Sequence, residues 1–393
     1  MNIQVVCQHY YPEQYPLTRI CADLAKKGHN ISVLTGLPNY PEGYIYKDYR
    51  FGKNRRQTID GVNIVRSFLF PRGKSKAGLF INYASFAFFS MIKALFIKKD
   101  FDAILVIQSS PVTMAMAGMV LKRLTKKPLY IYTFDLWPES LVSGGVKPGS
   151  KIYNIIKSLS KWIYQSADRI FVSSKKFEEY FYKVHSIKGN IDYLPFYADD
   201  SFLGVEKPKE DKSDTLDLVF AGNIGQMQSV ETIIKAAKYL EKEKVFFHII
   251  GDGSAKEKCE TLANESKIKN LKFYGRMDFS KMPEMYTMAD AMLITLSNNE
   301  LISYTLPNKV LSYMAAGKPI IAGVNGEAAK VIRDAECGYV ADAEDYMGLA
   351  DVIREFIKTE NKEELSKNSR KYYNNNFTMD IFIERLKKLM DKE

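Results

Sequence analysis

Residues 305–323, TLPNKVLSYMAAGKPIIAG, set a lysine and a serine three positions apart behind a proline. Pro307 lacks the N–H that the first turn of a helix leaves unpaired, so it is suited to open a helix, and Leu306 before it is pushed toward extended angles. Residues 309–316 are mostly good helix formers, Gly317 can take a left-handed stop, and Pro319 cannot continue the helix. Ile320, Ile321 and Ala322 then read as a short buried strand. At this spacing Lys309 and Ser312 share a face close to a helix N-terminus, a place that favours anions. Pro307, Asn308, Lys309 and Ser312 are therefore a candidate grip on a diphosphate. The same pattern also fits an ordinary αβ unit with one surface lysine.

A second constellation follows the apolar run 129–134, LYIYTF, which reads as a strand. It delivers Asp135, Trp137 and Glu139 to the strand's carboxyl end, where open α/β sheets place their ligands. Asp135 is a candidate for orienting an acceptor group or acting as a weak base, and Glu139 for a polar contact. The alternative is that Asp135 caps the next turn and Trp137 is core. Glycine-bearing turns follow several other apolar runs: Gly222 to Gln226, Gly251-Asp252-Gly253, Gly275-Arg276-Met277 and Gly326-Glu327. Such turns let backbone approach a ligand closely, and helix starts behind them favour phosphates. Two irregular aromatic loops, 8–17 and 37–52, sit after early strands and are further candidates for function.

The elements that must position these residues alternate between strand and helix along most of the chain. At 393 residues the chain exceeds the usual limit of a single core, so two domains are expected. The first is expected over 1–197. A charged, proline-containing linker is expected at 198–215, ADDSFLGVEKPKEDKSDT, and a second domain over 216–375. A last helix within 376–393 is expected to pack back on the first domain. Short connections between successive strands predict parallel sheets with right-handed crossovers. Gly61 to Phe70 is expected as one strand, and Ser109, Ser110 and Pro111 as a turn that caps a helix over 112–124. The loop after the first strand has no GxGxxG, which argues against a dinucleotide-binding domain.

The net charge of +10 and a pI near 9.1 point to a polyanionic partner. There is no long basic run and no nucleic-acid signature, so phosphorylated substrates and an anionic membrane surface are favoured over nucleic acid. Cys7, Cys21, Cys259 and Cys337 stand too far apart for a CxxC redox site or a metal pair, and a reducing cytoplasmic setting is the expectation. The opening MNIQVVCQHYYPE reads as a first strand rather than a signal peptide. Residues 77–97, AGLFINYASFAFFSMIKALFI, are long enough to cross a membrane but contain Asn82, Ser85, Ser90 and Lys93. Three readings stay open: a buried helix, a helix partly exposed and docked on anionic lipid, and a true span.

Taken in order, YYPEQYPLTRI, GHNISVLTGLPNYPEG, SSP, DLWPES, FAGNIGQMQSVETIIKAA, IIGDGSAKEK, FYGRM and LPNKVLSYMAAGKPIIA resemble retaining glycosyltransferases of the two-Rossmann (GT-B) type in the large family numbered four. Within it the chain is similar to bacterial enzymes of capsule, O-antigen and colanic-acid assembly. The resemblance implies an α/β fold with two Rossmann-like doubly wound domains facing across a cleft. It implies a donor site in the second domain, with Gly222, Asn223 and Gln226 in the first loop and Gly251 and Gly253 on the diphosphate side. Arg276 and Met277 match the base-binding turn, Lys309 lies beside the sugar diphosphate, and Glu327 completes the donor set. Acceptor residues are expected among Glu13, Gln14, Tyr15, Asn39, Tyr40, Trp137 and Glu139. Asp135 falls where many relatives carry a histidine.

Relatives often carry a pair of glutamates, the second holding the ribose; the equivalent positions here are Tyr304 and Ser312. The Arg and Lys pair common after the first donor strand is also absent, with Asn223 and Gln226 nearby. Diphosphate charge would then be met mainly by Lys309, helix N-termini and loop amides. The implied activity is retaining transfer of a hexosyl or N-acetylaminosugar group, with a UDP-sugar favoured as donor. The implied acceptor is a polyprenyl-diphosphate-linked saccharide at the inner face of the plasma membrane. Apart from the donor no cofactor is expected, and no metal. Two alternatives share this architecture: a non-catalytic partner subunit and a nucleotide-sugar epimerase.

Overall fold

In the first half of the chain the apolar runs form strands β1 (Asn2–Val6), β2 (Asn30–Thr35), β3 (Arg56–Ile59), β4 (Val62–Arg66), β5 (Ala103–Gln108), β6 (Leu129–Thr133), β7 (Arg169–Val172) and β8 (Ile191–Tyr193). The computed structural model describes residues 1–13, 18–205 and 214–391. These strands make one sheet in the order β3-β4-β2-β1-β5-β6-β7-β8. β5 is buried at every position, as a central parallel strand covered on both faces must be. The helices around it are α1 (Arg19–Lys26), α2 (Lys76–Phe96), α3 (Met116–Thr125), α4 (Ser140–Ser143), α5 (Lys151–Gln165) and α6 (Lys176–His185).

The second half forms β9 (Leu216–Ala221), β10 (Val245–Ile250), β11 (Leu271–Gly275), β12 (Ala291–Thr295), β13 (Ile320–Gly323) and β14 (Gly338–Ala341). These strands are parallel throughout, in the order β11-β10-β9-β12-β13-β14. The accompanying helices are α7 (Val230–Tyr239), α8 (Lys256–Glu265), α9 (Met282–Thr287), α10 (Glu300–Ser303), α11 (Asn308–Ala315), α12 (Gly326–Asp334), α13 (Tyr346–Lys358), α14 (Lys362–Asn376) and α15 (Met379–Met390). Phe220, Phe247, Ile249, Ile234, Ile353 and Phe356 are fully buried in the core around this sheet.

Among the parallel strands each sheet reverses its order once, between β1 and β5 and between β9 and β12. At such a switch point the loops leaving two adjacent strands diverge to opposite faces and open a crevice at the strand ends. Gln8 and His9 leave β1 there, and Ser109 and Ser110 leave β5. Gly222 leaves β9, and Leu296 and Ser297 leave β12.

The first sheet differs from a purely parallel expectation at one edge. β3 pairs antiparallel with β4 through a tight turn at Asp60 and Gly61, both with positive φ (51° and 76°). An Asp-Gly pair is a strong hairpin signal, because both central residues of such a turn need left-handed angles. The strand expected over 61–70 therefore shortens to β4. Likewise no side chain caps the short turn Val112–Ala115 that precedes α3, because the Ser110 hydroxyl is committed elsewhere.

The chain separates into two compact units, Met1–Ser173 with Phe177–Leu194, and Ser174–Lys176 with Pro195–Glu393. The segment after Leu194 is held by the second unit. The Ala198 N–H donates to the Tyr373 hydroxyl (3.1 Å), and the Phe202 ring stacks on Tyr286 with centroids 4.8 Å apart. Of the expected linker, residues 206–213 lie outside the described residues. Phe382 of α15 packs against Phe196 and Tyr197, which the sequence boundary at 197 assigns to the first domain but which group with the second unit. Phe202→Ala removes a buried ring and is expected to destabilise the second unit by about 3–5 kcal/mol in urea unfolding followed by circular dichroism. A near-zero effect would show the segment to be loosely attached.

Candidate functional site

In the second unit the site is assembled from glycines. Gly222 follows β9 with φ at +139°, and Gly251 and Gly253 follow β10 at +146° and +159°. A β-carbon on Gly251 would stand 1.8 Å from the Gly222 carbonyl oxygen, and one on Gly253 2.4 Å from the Ile224 carbonyl oxygen. The two loops thus touch backbone to backbone. They are laced by the Gly222 N–H donating to the Ile250 carbonyl (2.9 Å) and the Ile224 N–H to the Asp252 carbonyl (2.8 Å).

Lys309 lies on this platform. A β-carbon on Gly222 would meet its Cε at 2.3 Å, so only glycine leaves room for the lysine stem. Lys309 Nζ is buried, has no hydrogen-bond partner, and sits 3.8 Å from the centroid of the Phe220 ring. Burial pushes its pKa down to about 7. Tyr313, one turn further along α11, holds the helix to the end of β9. Its hydroxyl donates to the Ala221 carbonyl (3.2 Å) and accepts from the Ala221 N–H (3.3 Å). Pro307 occupies the cap position, one residue ahead of the helix, and no side chain caps the first turn of α11. Gly317 ends the stretch at φ +63°, the left-handed stop expected from the sequence. A buried ammonium without a partner is costly, and an anion placed against it and the open first turn of α11 would remove that cost.

The other expected donor residues surround this point to different degrees. Asn223 is exposed, and its Nδ2 donates to Gln228 Oε1 (3.1 Å). Gln226 is exposed on the short turn Gln226–Gln228. Arg276 and Met277 follow β11 beside the glycine platform, because the Gly251 N–H donates to the Gly275 carbonyl (2.9 Å). Asn308 is exposed, and Ser312 is half-buried one turn beyond Lys309. Glu327 is buried in the first turn of α12, and burial raises its carboxyl pKa. Tyr304, at the first of the two positions given to glutamates by the resemblance, is buried and donates its hydroxyl to Glu300 Oε1 (2.9 Å). Sequence reasoning missed Phe220, Tyr313 and Glu300, which support the site from strand, helix core and preceding turn.

The first unit gathers a second polar group at its own switch point. The Ser110 hydroxyl donates to Asp135 Oδ2 (2.8 Å) and accepts from Trp137 Nε1 (3.2 Å). Burial raises the Asp135 pKa, and the Ser110 bond opposes that shift. Tyr83, whose hydroxyl pKa is also raised by burial, lies within electrostatic reach of Arg72, Asp135 and Tyr40. Glu13 is buried. Its Oε1 accepts the backbone N–H groups of Asn39 (2.6 Å) and Tyr40 (2.8 Å), and its Oε2 pairs with His9 Nδ1 (2.8 Å). Asn39 is fully buried, and the Arg72 guanidinium stacks over the Tyr40 ring at 5.1 Å.

Trp137 and Glu139, expected to meet an acceptor, are both buried. Glu139 accepts from the hydroxyls of Tyr153 (2.6 Å) and Tyr180, and His185 Nε2 bonds the Trp137 carbonyl (2.8 Å). These two residues anchor the turn that carries Asp135 rather than face solvent. Gln14 and Tyr15 lie outside the described residues. His9, Arg72, Tyr83 and Ser110 are not among the site residues expected from sequence; Ser110 was read there as part of a helix-capping turn, and the SSP motif was the one available signal for it.

The family described as Glycosyl transferase 4-like domain matches residues 14–196, and Glycosyl transferases group 1 matches residues 205–372. A Pseudomonas aeruginosa protein named as the glycosyltransferase WbjE is 27% identical over 57% of this chain, and the match spans 58% of its own length. The Escherichia coli K12 protein WcaI, named for colanic acid biosynthesis, is 22% identical over 81% of this chain and 82% of its own. Among solved structures, Anabaena HepE in complex with UDP and glucose superposes with a TM-score of 0.72 at 12% identity, covering 100% of this chain and 99% of that one. The chain belongs to the glycosyltransferases of the GT-B fold.

Two measurements test the platform. Inorganic pyrophosphate should bind most tightly below about pH 7, where Lys309 carries its proton, and progressively more weakly above it, where binding must also take up a proton. Titration calorimetry on the wild type and Lys309→Met isolates this slope, which the variant should lack. The linked stability effect has the opposite sense. The unfolded chain binds that proton up to the ordinary lysine range, so wild-type stability relative to Lys309→Met should rise from pH 7 upward. Gly251→Ala is expected to destabilise by about 1–3 kcal/mol, through contact with the Gly222 carbonyl, and to weaken pyrophosphate binding at least tenfold.

Proposed function

We propose that the chain transfers a sugar, with retention, from a nucleotide-diphosphate sugar to a saccharide carried on a polyprenyl diphosphate, in the assembly of a bacterial surface polysaccharide such as a capsule, O-antigen or colanic acid. A UDP-sugar is the favoured donor. The observation that carries this reading is the buried, unpartnered Lys309 ammonium on a platform of glycine loops. As the anomeric bond breaks, negative charge builds on the β-phosphate, and a preorganised cation and backbone amides lower that barrier. Lys309 meets this charge, with the open first turn of α11 beside it. Arg276 and Met277 take the base, and Asn308, Ser312 and Glu327 complete the donor set.

In the first unit, Asp135 orients the acceptor hydroxyl, with Ser110 fixing the carboxylate. Retention follows if attack comes from the face of the departing phosphate, which then takes the acceptor proton. The UDP and glucose in the Anabaena structure and the name of the E. coli relative support the donor class and the pathway. The positive charge of the chain supports work at the inner, anionic face of the plasma membrane from the cytoplasmic side. The reaction draws on no cofactor besides the donor.

Release of UDP or GDP from a panel of nucleotide sugars, with a lipid-linked saccharide as acceptor, tests the reading. Lys309→Ala is expected to lose at least about a hundredfold in rate. Asp135→Asn should lower kcat with little change in donor KM, and the wild-type rate should fall as pH drops through the raised Asp135 pKa. Absence of release with every donor and acceptor would instead favour a non-catalytic partner subunit.

A further inference from the structure

Helix α2 is built inside out. Asn82 is fully buried, its Nδ2 donating to the Phe70 carbonyl (2.6 Å) and to Asn39 Oδ1 (3.2 Å), while its Oδ1 accepts from Gln8 Nε2 (2.8 Å). Ser85 and Ser90 are buried on the same helix. Phe86, Ala87 and Ala94 share that buried side, but most of the large apolar residues face solvent: Phe80 is 69% exposed and Phe96 73%, and Ile81, Phe88 and Leu95 continue the stripe. A helix on the surface of a soluble domain shows the reverse pattern.

Helix α5 repeats the feature. Ile152, Ile155 and Trp162 are all more than half exposed, at spacings of one and three turns that keep them on one side. α2 and α5 both pack against the turn Val112–Ala115, and Lys76 Nζ at the start of α2 donates to the Gly144 carbonyl in the approach to α5 (2.9 Å). The two stripes therefore flank one element of the first unit. Residues 71–99 contain six basic and no acidic side chains, and residues 140–167 contain four and none. Two copies of such a surface would repel one another, whereas an anionic bilayer attracts the lysines and admits the aromatic stripe.

We propose that α2 and α5 together lie in the headgroup layer of an anionic membrane, parallel to its surface. This rests on the lipid-linked acceptor proposed above and says how that acceptor is reached. α2 is long enough to cross a bilayer, but its polar side is tied to Gln8, Asn39 and Phe70, so it lies on the surface. Through Asn82 it holds the loop bearing Asn39 and Tyr40 near the depth of a lipid diphosphate.

The chain has two tryptophans, Trp137 in the interior and Trp162 exposed on α5, so fluorescence reports on this surface directly. The full chain should sediment with phosphatidylcholine vesicles containing phosphatidylglycerol, at least about tenfold more strongly than with phosphatidylcholine alone. Brominated lipid should quench its emission. Trp162→Phe should still sediment but lose the quenching. Phe80→Glu combined with Ile155→Glu should weaken sedimentation at least about tenfold. The same pair should leave circular dichroism unchanged, as well as transfer to a detergent-soluble farnesyl-diphosphate-linked sugar. The proposal is overturned if anionic vesicles do not sediment the chain, if quenching survives in Trp162→Phe, or if the free chain is a dimer that Phe80→Glu dissociates. Vesicle binding without transfer to any acceptor would leave this surface standing and remove the function it rests on. Transfer to the soluble acceptor without vesicle binding would do the reverse.

Discussion

A single amine without a partner organises the second unit. Lys309 Nζ is enclosed by the Phe220 ring and the Gly222 backbone, and no carboxylate or carbonyl in the described residues bonds it. Enclosure alone is enough to depress its pKa. Everything nearby is consistent with keeping that volume open at a fixed place. Glycines leave room for the lysine stem, Tyr313 pins α11 to the end of β9, and the proline at the helix cap leaves the first turn without a side-chain acceptor. The arrangement stores an electrostatic imbalance that a bound anion relieves, which is how a rigid site can favour charge that develops during a reaction.

The first unit handles its charges in the opposite way. Glu13 and Glu139 are buried and fully engaged, one by two backbone N–H groups and His9, the other by two tyrosine hydroxyls. Their function is mechanical: they fix the 39–40 loop and the 136–140 turn, where irregular backbone would otherwise be loosely defined. Asp135 is different. Its carboxylate is held by Ser110, and burial keeps its pKa raised. Two units that both place a site at the switch point of a doubly wound sheet thus use buried polar groups for different ends.

Much of the architecture was legible because most of the parallel strands are short apolar runs followed by a turn residue, and the helix limits at Ser150, Gly317 and Thr378 carry their caps in sequence. Strand β3 was missed because its Arg-Gln-Thr-Ile has no buried face to give alternation, although Asp60-Gly61 announced the hairpin. The glycine loops and Lys309 were readable as a site since local chemistry alone makes a helix start and a φ-positive glycine special. The roles of Trp137 and Glu139 were not, because whether a polar side chain at a strand end faces solvent or the interior depends on partners far away in sequence. Glu139 meets Tyr180, and Glu13 meets Asn39, through contacts that no local pattern encodes.

The inverted helix α2 has a consequence for how the chain reaches its native state. Its polar side is satisfied by Gln8, Asn39 and Phe70, all made earlier, but its packing partners α3 and the turn Val112–Ala115 come later, as does β5, which must insert beside β1. As the chain is synthesised, an apolar segment of membrane-spanning length emerges before the strand that completes the sheet over which it folds. The nascent chain therefore passes through a stage in which α2 is more hydrophobic to its surroundings than it is in the finished protein. The buried Asn82, bonded to the loops that follow β1, β2 and β4, holds the segment against the folded unit instead of across the bilayer.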